Sequence, residues 1–349
     1  MILQKQPAAS SSLDVFAEII EKHGRAVMKK AVEQTLDANY EVGNISVAAK
    51  YHARFLRKVL PVFPALITLS CESAGGKMEK CVGIGAALTL FVEAANIHDD
   101  LIDQTLVKCK RKTTFGKFGS DVSLLTGDVL LVQASLSLSK ECESLVSEQK
   151  EMILKLTFQS LIEICKSAAN ESAMRRRIDV SPEDYLEVVR LRAAVPDAHC
   201  MIGGILGGGS KSMISSLGNY GRNYGIVGTI IDEFLDLFDY QKFSSRLKNE
   251  CVPLPLLCAI KDLTAKEKIM PFLNDFCINK NDYDSVVKLV ADSNEVNKLR
   301  NNTLDLLTKS KLEIEKNLKE STARRDLTAL LVVLERLLCN VDEFTNQLL

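Results

Sequence analysis

Apolar residues recur at helical spacing along almost the whole chain, and no sustained apolar–polar alternation bounded by turn residues predicts a strand. Ser10 to Ser12 offer a cap for a first helix carrying Val15, Phe16, Ile19, Ile20, Val27 and Ala31 on one period, with Gly24 expected to split it. Ser46 to Cys71 continues the pattern, kinked or restarted at Pro61 and Pro64, and Ser73 to Gly76 reads as a turn. Lys80 to Asp103 predicts one long, mostly apolar helix, whereas Val107 to Gly119, basic and glycine-containing, predicts a loop or broken element. Ser120 to Ser139 and Glu141 to Ala169 are helical in period. Ser181-Pro182-Glu183-Asp184 has a cap, a proline at the first helical position and acids in the first turn, opening a helix to about Gly203 interrupted at Pro196. Ser216 to Phe238 is helical, and Pro253 to Leu349 alternates apolar helical stretches with short polar turns, including the strongly apolar Leu327 to Leu338. Short connections and no shift in composition predict one all-α domain over residues 1–349, without internal repeats.

Composition narrows the class. With 349 residues and 46% hydrophobic content a sizeable core is within reach, and a net charge of −1 provides no basic field for nucleic acid. The ten cysteines form no CxxC pair and stand singly in apolar stretches, so buried free thiols in a reducing compartment are expected, not disulfides or zinc. Met1 to Ser12 lacks the charged and apolar regions of a secretory signal, and no unbroken run of eighteen apolar residues predicts a transmembrane segment; the expected address is cytoplasmic. Gly207-Gly208-Gly209 lacks the Gly-Lys-Ser/Thr of a phosphate loop and reads as a plain turn.

The candidate chemistry lies in two acidic groups. Asp99-Asp100-Leu101-Ile102-Asp103 closes the apolar helix from Lys80, placing Asp99 and Asp103 one turn apart on one face. Two stacked carboxylates repel unless a cation sits between them, and oxygen ligands with room for a phosphate suit Mg²⁺. Asp232-Glu233-Phe234-Leu235-Asp236 repeats the spacing at the end of a second apolar helix, and Asp239 continues its face. Either group alone could be a solvated helix end; two such groups facing across a bundle would need cations and a diphosphate between them.

These residues, in this order, resemble the trans-isoprenyl diphosphate synthases, the farnesyl and geranylgeranyl diphosphate synthase family. The likeness is strongest over residues 50–260. The two acidic groups are similar to that family's aspartate-rich motifs, and Leu124-Leu125-Thr126-Gly127-Asp128-Val129-Leu130-Leu131 to its LLxGDxLL helix. Val180 to Leu186 and Tyr220-Gly221-Arg222-Asn223-Tyr224-Gly225 are similar to two further stretches between them. The resemblance implies a single large helical bundle around a central cavity, usually a homodimer, with a heteromer as the other arrangement. It implies Mg²⁺ held by Asp99, Asp100, Asp103, Asp232, Glu233 and Asp236 beside the diphosphate of an allylic prenyl substrate. Asp99, Asp103, Asp232, Lys108 and Arg192 would then be catalytic.

On the allylic side the family's cations fall on Lys108, Arg192 and Arg246, with Cys109 and Ala193 standing where a second arginine and a threonine are usual. The isopentenyl side departs further: its lysine falls on Arg57, an arginine on Leu60, and a histidine or glutamine on Val92. Each lost charge-assisted contact costs about 1.5–3 kcal/mol, so either neighbouring cations (Arg54, Lys58, Lys110, Arg111, Lys112) replace them or isopentenyl diphosphate is not used. Binding of prenyl diphosphates is accordingly expected at Arg57, Lys58, Lys108, Arg192 and Arg246. Three functions stay open: a chain-elongating synthase, an enzyme that ionises the allylic diphosphate for another fate such as cyclisation, and a modulatory subunit. Ala94 and Ala95, just before the first motif, either leave a product pocket open or simply pack helices.

Overall fold

A computed structural model describes residues 11–38, 43–273 and 276–341, so Ser10 and most of the leading segment lie outside the described residues. The chain is helical almost throughout, as the periodicity predicts. Its first helix, α1 (Ser11–Asp37), is continuous through Gly24. The glycine serves close approach instead of a break: a Cβ there would stand 2.4 Å from the carbonyl oxygen of Pro61. Pro61 separates α2 (Gly43–Leu56) from α3 (Val62–Ser73), and α3 is buried on nearly every side.

After the turn at Gly75 and Gly76, α4 (Glu79–Ile102) runs through the core and ends with Asp103 at its C-cap. The stretch expected to be a loop holds a short antiparallel hairpin, β1 (Val107–Lys108) and β2 (Arg111–Lys112), pairing Val107 with Lys112 and Lys108 with Arg111. Cys109 and Lys110 take φ of 54° and 57°, the left-handed pair that a two-residue hairpin turn requires. A short α5 (Thr114–Phe118) follows, then α6 (Ser120–Glu141) and α7 (Ser147–Met174).

Ser181 caps α8 (Pro182–Arg192) as expected, its hydroxyl accepting from Asp184 N–H at 3.0 Å. The interruption falls at Ala193, earlier than expected. Pro196 lies inside the first turn of α9 (Ala194–Leu206), where a missing N–H leaves no intrahelical bond unmade. The long α10 (Lys211–Phe238) passes against α9, where Gly221 approaches the Pro196 carbonyl so closely that a Cβ would meet it at 2.3 Å. The remaining chain forms α11 (Tyr240–Asn249), α12 (Leu254–Ala259), α13 (Leu263–Ile269), α14 (Lys280–Ala291), α15 (Asn294–Asn317) and α16 (Thr322–Cys339).

One core joins α1, α3 and α8 to the C-terminal helices around Tyr185, Tyr220, Phe234 and Leu330; a second joins α3, α4, α6, α7 and α9 around Ile67, Leu90 and Ile202. All ten cysteines are free thiols; six are buried, Cys109 is half-buried, and Cys165, Cys277 and Cys339 are exposed. Neither α4 nor the segment Ser120–Ser144 holds an unbroken apolar run, but both are long and apolar enough to cross a membrane by length and composition alone. In α4 67% of that window is buried in the bundle, whereas in the second only 33% is. Leu125, Val132 and Leu136 are therefore left exposed on α6.

Candidate active site

Both acidic groups sit at helix ends that are followed by a tight return, and each return brings cations back over the acids. At the end of α4 the hairpin returns Lys108, whose Nζ lies 3.2 Å from Asp100 Oδ1. Asp100 is buried; burial raises its pKa and the Lys108 charge opposes the rise. Lys108 is held above its ordinary range, since burial would lower it but Asp100 and Asp99 outweigh that. Asp100 thus faces the hairpin and not its sequence neighbours Asp99 and Asp103.

At the end of α10, Asp239 does not extend the acidic face. It caps α11, accepting from the N–H groups of Gln241 and Lys242 at 2.9 and 3.1 Å. The chain therefore reverses, and Lys242 and Arg246, one turn apart on α11, come to lie over α10. Lys242 Nζ is 3.1 Å from Asp236 Oδ1. Arg246, 5% exposed, donates to Glu233 Oε1 at 2.7 Å, to Asp236 Oδ2 at 3.2 Å and to the Tyr185 hydroxyl at 2.9 Å. Tyr185 in turn donates to Glu233 Oε1 at 2.9 Å, and the Leu254 N–H donates to Glu233 Oε2 at 2.9 Å.

Glu233 and Arg246 were expected to hold metal and diphosphate. In this structure their side chains meet inside a buried network that joins α8, α10, α11 and α12, and both Glu233 oxygens accept hydrogen bonds. Arg57 and Lys58 lie exposed in the turn after α2, where the Arg57 carbonyl accepts from Arg25 at 3.3 Å. Neither pairs with a carboxylate among the described residues. Leu60 packs against the main core, which accounts for an apolar residue where a cation was expected.

The other four acids of the two groups are Asp99, Asp103, Asp232 and Asp236, the last already met by Lys242 and Arg246. Asp103 pairs with Arg175 at the end of α7, and Arg175 also donates to the Ile102 carbonyl at 2.9 Å. Burial, followed by the charges of Asp99, Glu250 and Glu171, nevertheless lifts Asp103 to about 7. Asp232 is raised by burial, with Asp236 adding to the rise. Arg192, at the end of α8, pairs with Glu171; burial would lower its pKa, but Glu171, Tyr185, Asp99 and Glu233 together raise it. Residues of both acidic helix ends thus act on one arginine, and Glu250 is felt at Asp103 while it lies 3.7 Å from Arg246. The fold brings the two groups into one electrostatic neighbourhood.

Three residues of this neighbourhood have no motif of their own: Glu171, Arg175 and Glu250. A signal for the first two was present, a Glu and an Arg four apart where an apolar helix gives way to Arg175-Arg176-Arg177. Among the described residues no three His, Cys, Asp or Glu side chains already converge as a metal cluster. The donor chemistry still fits a hard divalent cation, because the four carboxylates are oxygen-only and Asp103 is raised by a surplus of neighbouring negative charge. Asp100 meets Lys108, and Glu233 meets Arg246, Tyr185 and the Leu254 N–H.

The all-helical bundle, with an acidic group at the end of two of its long helices, is the isoprenoid-synthase fold. The chain belongs to the polyprenyl synthetase family, whose model matches residues 61–289. It is 31% identical over 175 residues to the short chain isoprenyl diphosphate synthase of Methanothermobacter thermautotrophicus, covering 50% of this chain and 53% of that protein. It is 27% identical over 241 residues to the large subunit 1 of the heterodimeric geranylgeranyl pyrophosphate synthase of Arabidopsis thaliana chloroplasts, covering 65% and 62%. The matched part thus spans about half the length of the first of these relatives. The crystal structure of geranylgeranyl pyrophosphate synthetase from Pyrococcus horikoshii superposes with a TM-score of 0.81 over 93% of this chain and 99% of that one, at 24% identity.

Proposed function

We propose that this chain ionises an allylic prenyl diphosphate and condenses it with isopentenyl diphosphate into a longer prenyl diphosphate. The observation that carries the reading is that both acidic helix ends act on Arg192, which Asp99 of the first and Glu233 of the second both help hold above its ordinary range. Mg²⁺, held by Asp99, Asp103, Asp232 and Asp236, would supply charge neutralisation to the leaving diphosphate. Arg192, with Lys108 and Lys242 at the rim, would orient the diphosphate and stabilise its charge as the C–O bond breaks. The apolar wall of α4 beneath would keep water from the allylic cation.

That wall also bears on product length. Phe91, Ala95, Asp99 and Asp103 form one row on α4, and the Phe91 ring meets Phe158 of α7 edge-on at 6.3 Å. Ala94, off that row, packs with Ile97 and Leu130, and Ala95 is the small side chain in the row. Phe91 lies about 12 Å below Asp99 at ~1.5 Å per residue, and it would be the floor against which the growing chain stops. The exposed Leu125, Val132 and Leu136 of α6 with Phe158 and Ile162 of α7 offer an apolar face for a second chain, supporting a dimer with itself or with a related subunit.

The test is incubation with Mg²⁺ and geranyl, farnesyl or geranylgeranyl diphosphate, with and without isopentenyl diphosphate. Longer diphosphates formed only with isopentenyl diphosphate are expected. Hydrocarbon or alcohol released without it would replace this reading by one in which the allylic cation has another fate. Leu60 in the core, with Arg57 and Lys58 meeting no carboxylate among the described residues, favours that second reading. Phe91→Ala should lengthen the product; an unchanged product would remove Phe91 from the floor.

A further inference from the structure

Two segments that pack together, residues 43–60 and 104–120, contain nine lysines and arginines and no aspartate or glutamate, in a chain whose net charge is −1. Tyr51 of α2 joins them. Its hydroxyl donates to the Lys112 carbonyl at 2.7 Å, the Arg111 guanidinium lies 3.7 Å from its ring centre, and Lys117 Nζ lies 3.9 Å from the same ring. Arg111 also donates to the Tyr51 carbonyl at 2.7 Å and lies over Phe55. The hairpin is thereby fixed against the face of α2 that carries Arg54, three residues after Tyr51, with Lys58 in the turn that follows the helix.

Of the nine cations only Lys108 has a carboxylate partner among the described residues, Asp100. Arg54, Arg57, Lys58, Lys110, Lys112 and Lys117 are exposed. The nearest acids in sequence are Asp103, engaged by Arg175, and Asp121 beyond α5. At the leading edge of this surface stand two exposed apolar side chains, Leu106 at 58% and Val107 at 57%. Their backbone is held, since the Leu106 carbonyl accepts from Thr113 N–H at 3.0 Å and Thr113 Oγ1 donates to the Thr105 carbonyl at 2.6 Å.

We propose that the hairpin and the adjoining face of α2 dock the protein on an anionic lipid bilayer, with Leu106 and Val107 entering the headgroup layer. Unpaired cations on a rigid frame match a negatively charged surface, and neighbouring exposed apolar groups match its boundary with the acyl chains. Cation–π packing keeps Arg111 and Lys117 ordered without a carboxylate, so the surface keeps its positive charge. Docking here would set the acidic helix end of α4 next to the membrane, because Lys108 belongs to both. The proposal concerns where the molecule sits and stands whether or not the reaction proposed above is the one it performs.

The test is co-sedimentation of the full chain, without substrates, with vesicles of phosphatidylcholine alone or of equal parts phosphatidylcholine and phosphatidylserine. Binding to the anionic vesicles only, weakened by salt, is expected. Each cation removed should lower partitioning roughly fivefold, so Lys110→Ala with Lys112→Ala should lose most binding, whereas Lys110→Arg with Lys112→Arg should keep it. Val107→Ser should weaken binding at constant charge. Circular dichroism and thermal unfolding check that the variants stay folded. Equal affinity for both vesicle types would overturn the proposal, as would indifference to the paired alanine substitutions. Unaltered binding by Val107→Ser together with equally strong retention on heparin would show general polyanion affinity and overturn it too. If the alanine pair instead weakens calorimetric binding of inorganic diphosphate while vesicle binding is absent, the surface is a small-phosphate site.

Discussion

The ends of α4 and α10 carry acids at the same spacing, yet they use them unequally. In each, the first and fifth residues share a face and the second lies about 100° round the helix, at 3.6 residues per turn. In α4 the second acid, Asp100, meets one half-exposed lysine on a hairpin. In α10 the second acid, Glu233, meets a buried arginine, a buried tyrosine and a backbone N–H. One middle acid steadies a surface turn; the other ties four helices together. The same local pattern thus yields a shared pair of outward carboxylates twice, and a structural role whose weight depends on what the following segment returns.

That contrast can be broken most forcefully at Glu233. Glu233→Gln leaves Arg246 buried without its full counter-charge and should destabilise the fold by about 3–5 kcal/mol, read as a lower midpoint of denaturant unfolding. A loss under 1 kcal/mol would mean that the network is not what joins α10 to α11 and α12.

Removing an outward acid should instead spare the fold and stop the chemistry. Asp99→Ala and Asp232→Ala are each expected to reduce turnover roughly 100- to 1000-fold, with unfolding midpoints near that of the unaltered protein. Undiminished turnover in either would remove that aspartate from the site.

Metal addition sharpens the comparison at the next level. Mg²⁺ at a hundredfold excess over its Kd should stabilise the protein by about 2.7 kcal/mol, seen as a rise in Tm. The rise should vanish in Asp103→Ala and persist in Asp100→Asn; the reverse pattern would exchange the roles assigned to these neighbours. The smallest effect belongs to Asp100→Asn itself. Its partner Lys108 is 42% exposed on its side chain, so the stability change should be about 1 kcal/mol or less.

Much of this was legible in the chain. Helical period and Ser181-Pro182 located the start of α8 correctly, and the apolar run before Asp99 located α4 to within a residue at each end. The errors have local causes. Gly24 and Pro196 look like breaks in one dimension, but one serves a close approach to Pro61 and the other occupies a first turn. Asp239 looked like a third acid on the α10 face because spacing alone does not reveal a cap. Arg175, Glu171 and Glu250 carried no motif, since their importance comes from helices far away in sequence.

What the sequence determined by itself is everything a single helix can decide: which stretches coil, which residues share a face, and that Asp99 with Asp103 and Asp232 with Asp236 form outward pairs. Those follow from a period of 3.6 residues acting on neighbours. Which cation meets each acid was decided only by tertiary structure. The return of Lys108 on a hairpin, of Arg246 on α11 and of Tyr185 on α8 depends on contacts between segments far apart in the chain. Burial makes an unpaired charge costly there, so the fold pairs Asp100 with Lys108 and Glu233 with Arg246, while Asp99 and Glu233 both act on Arg192.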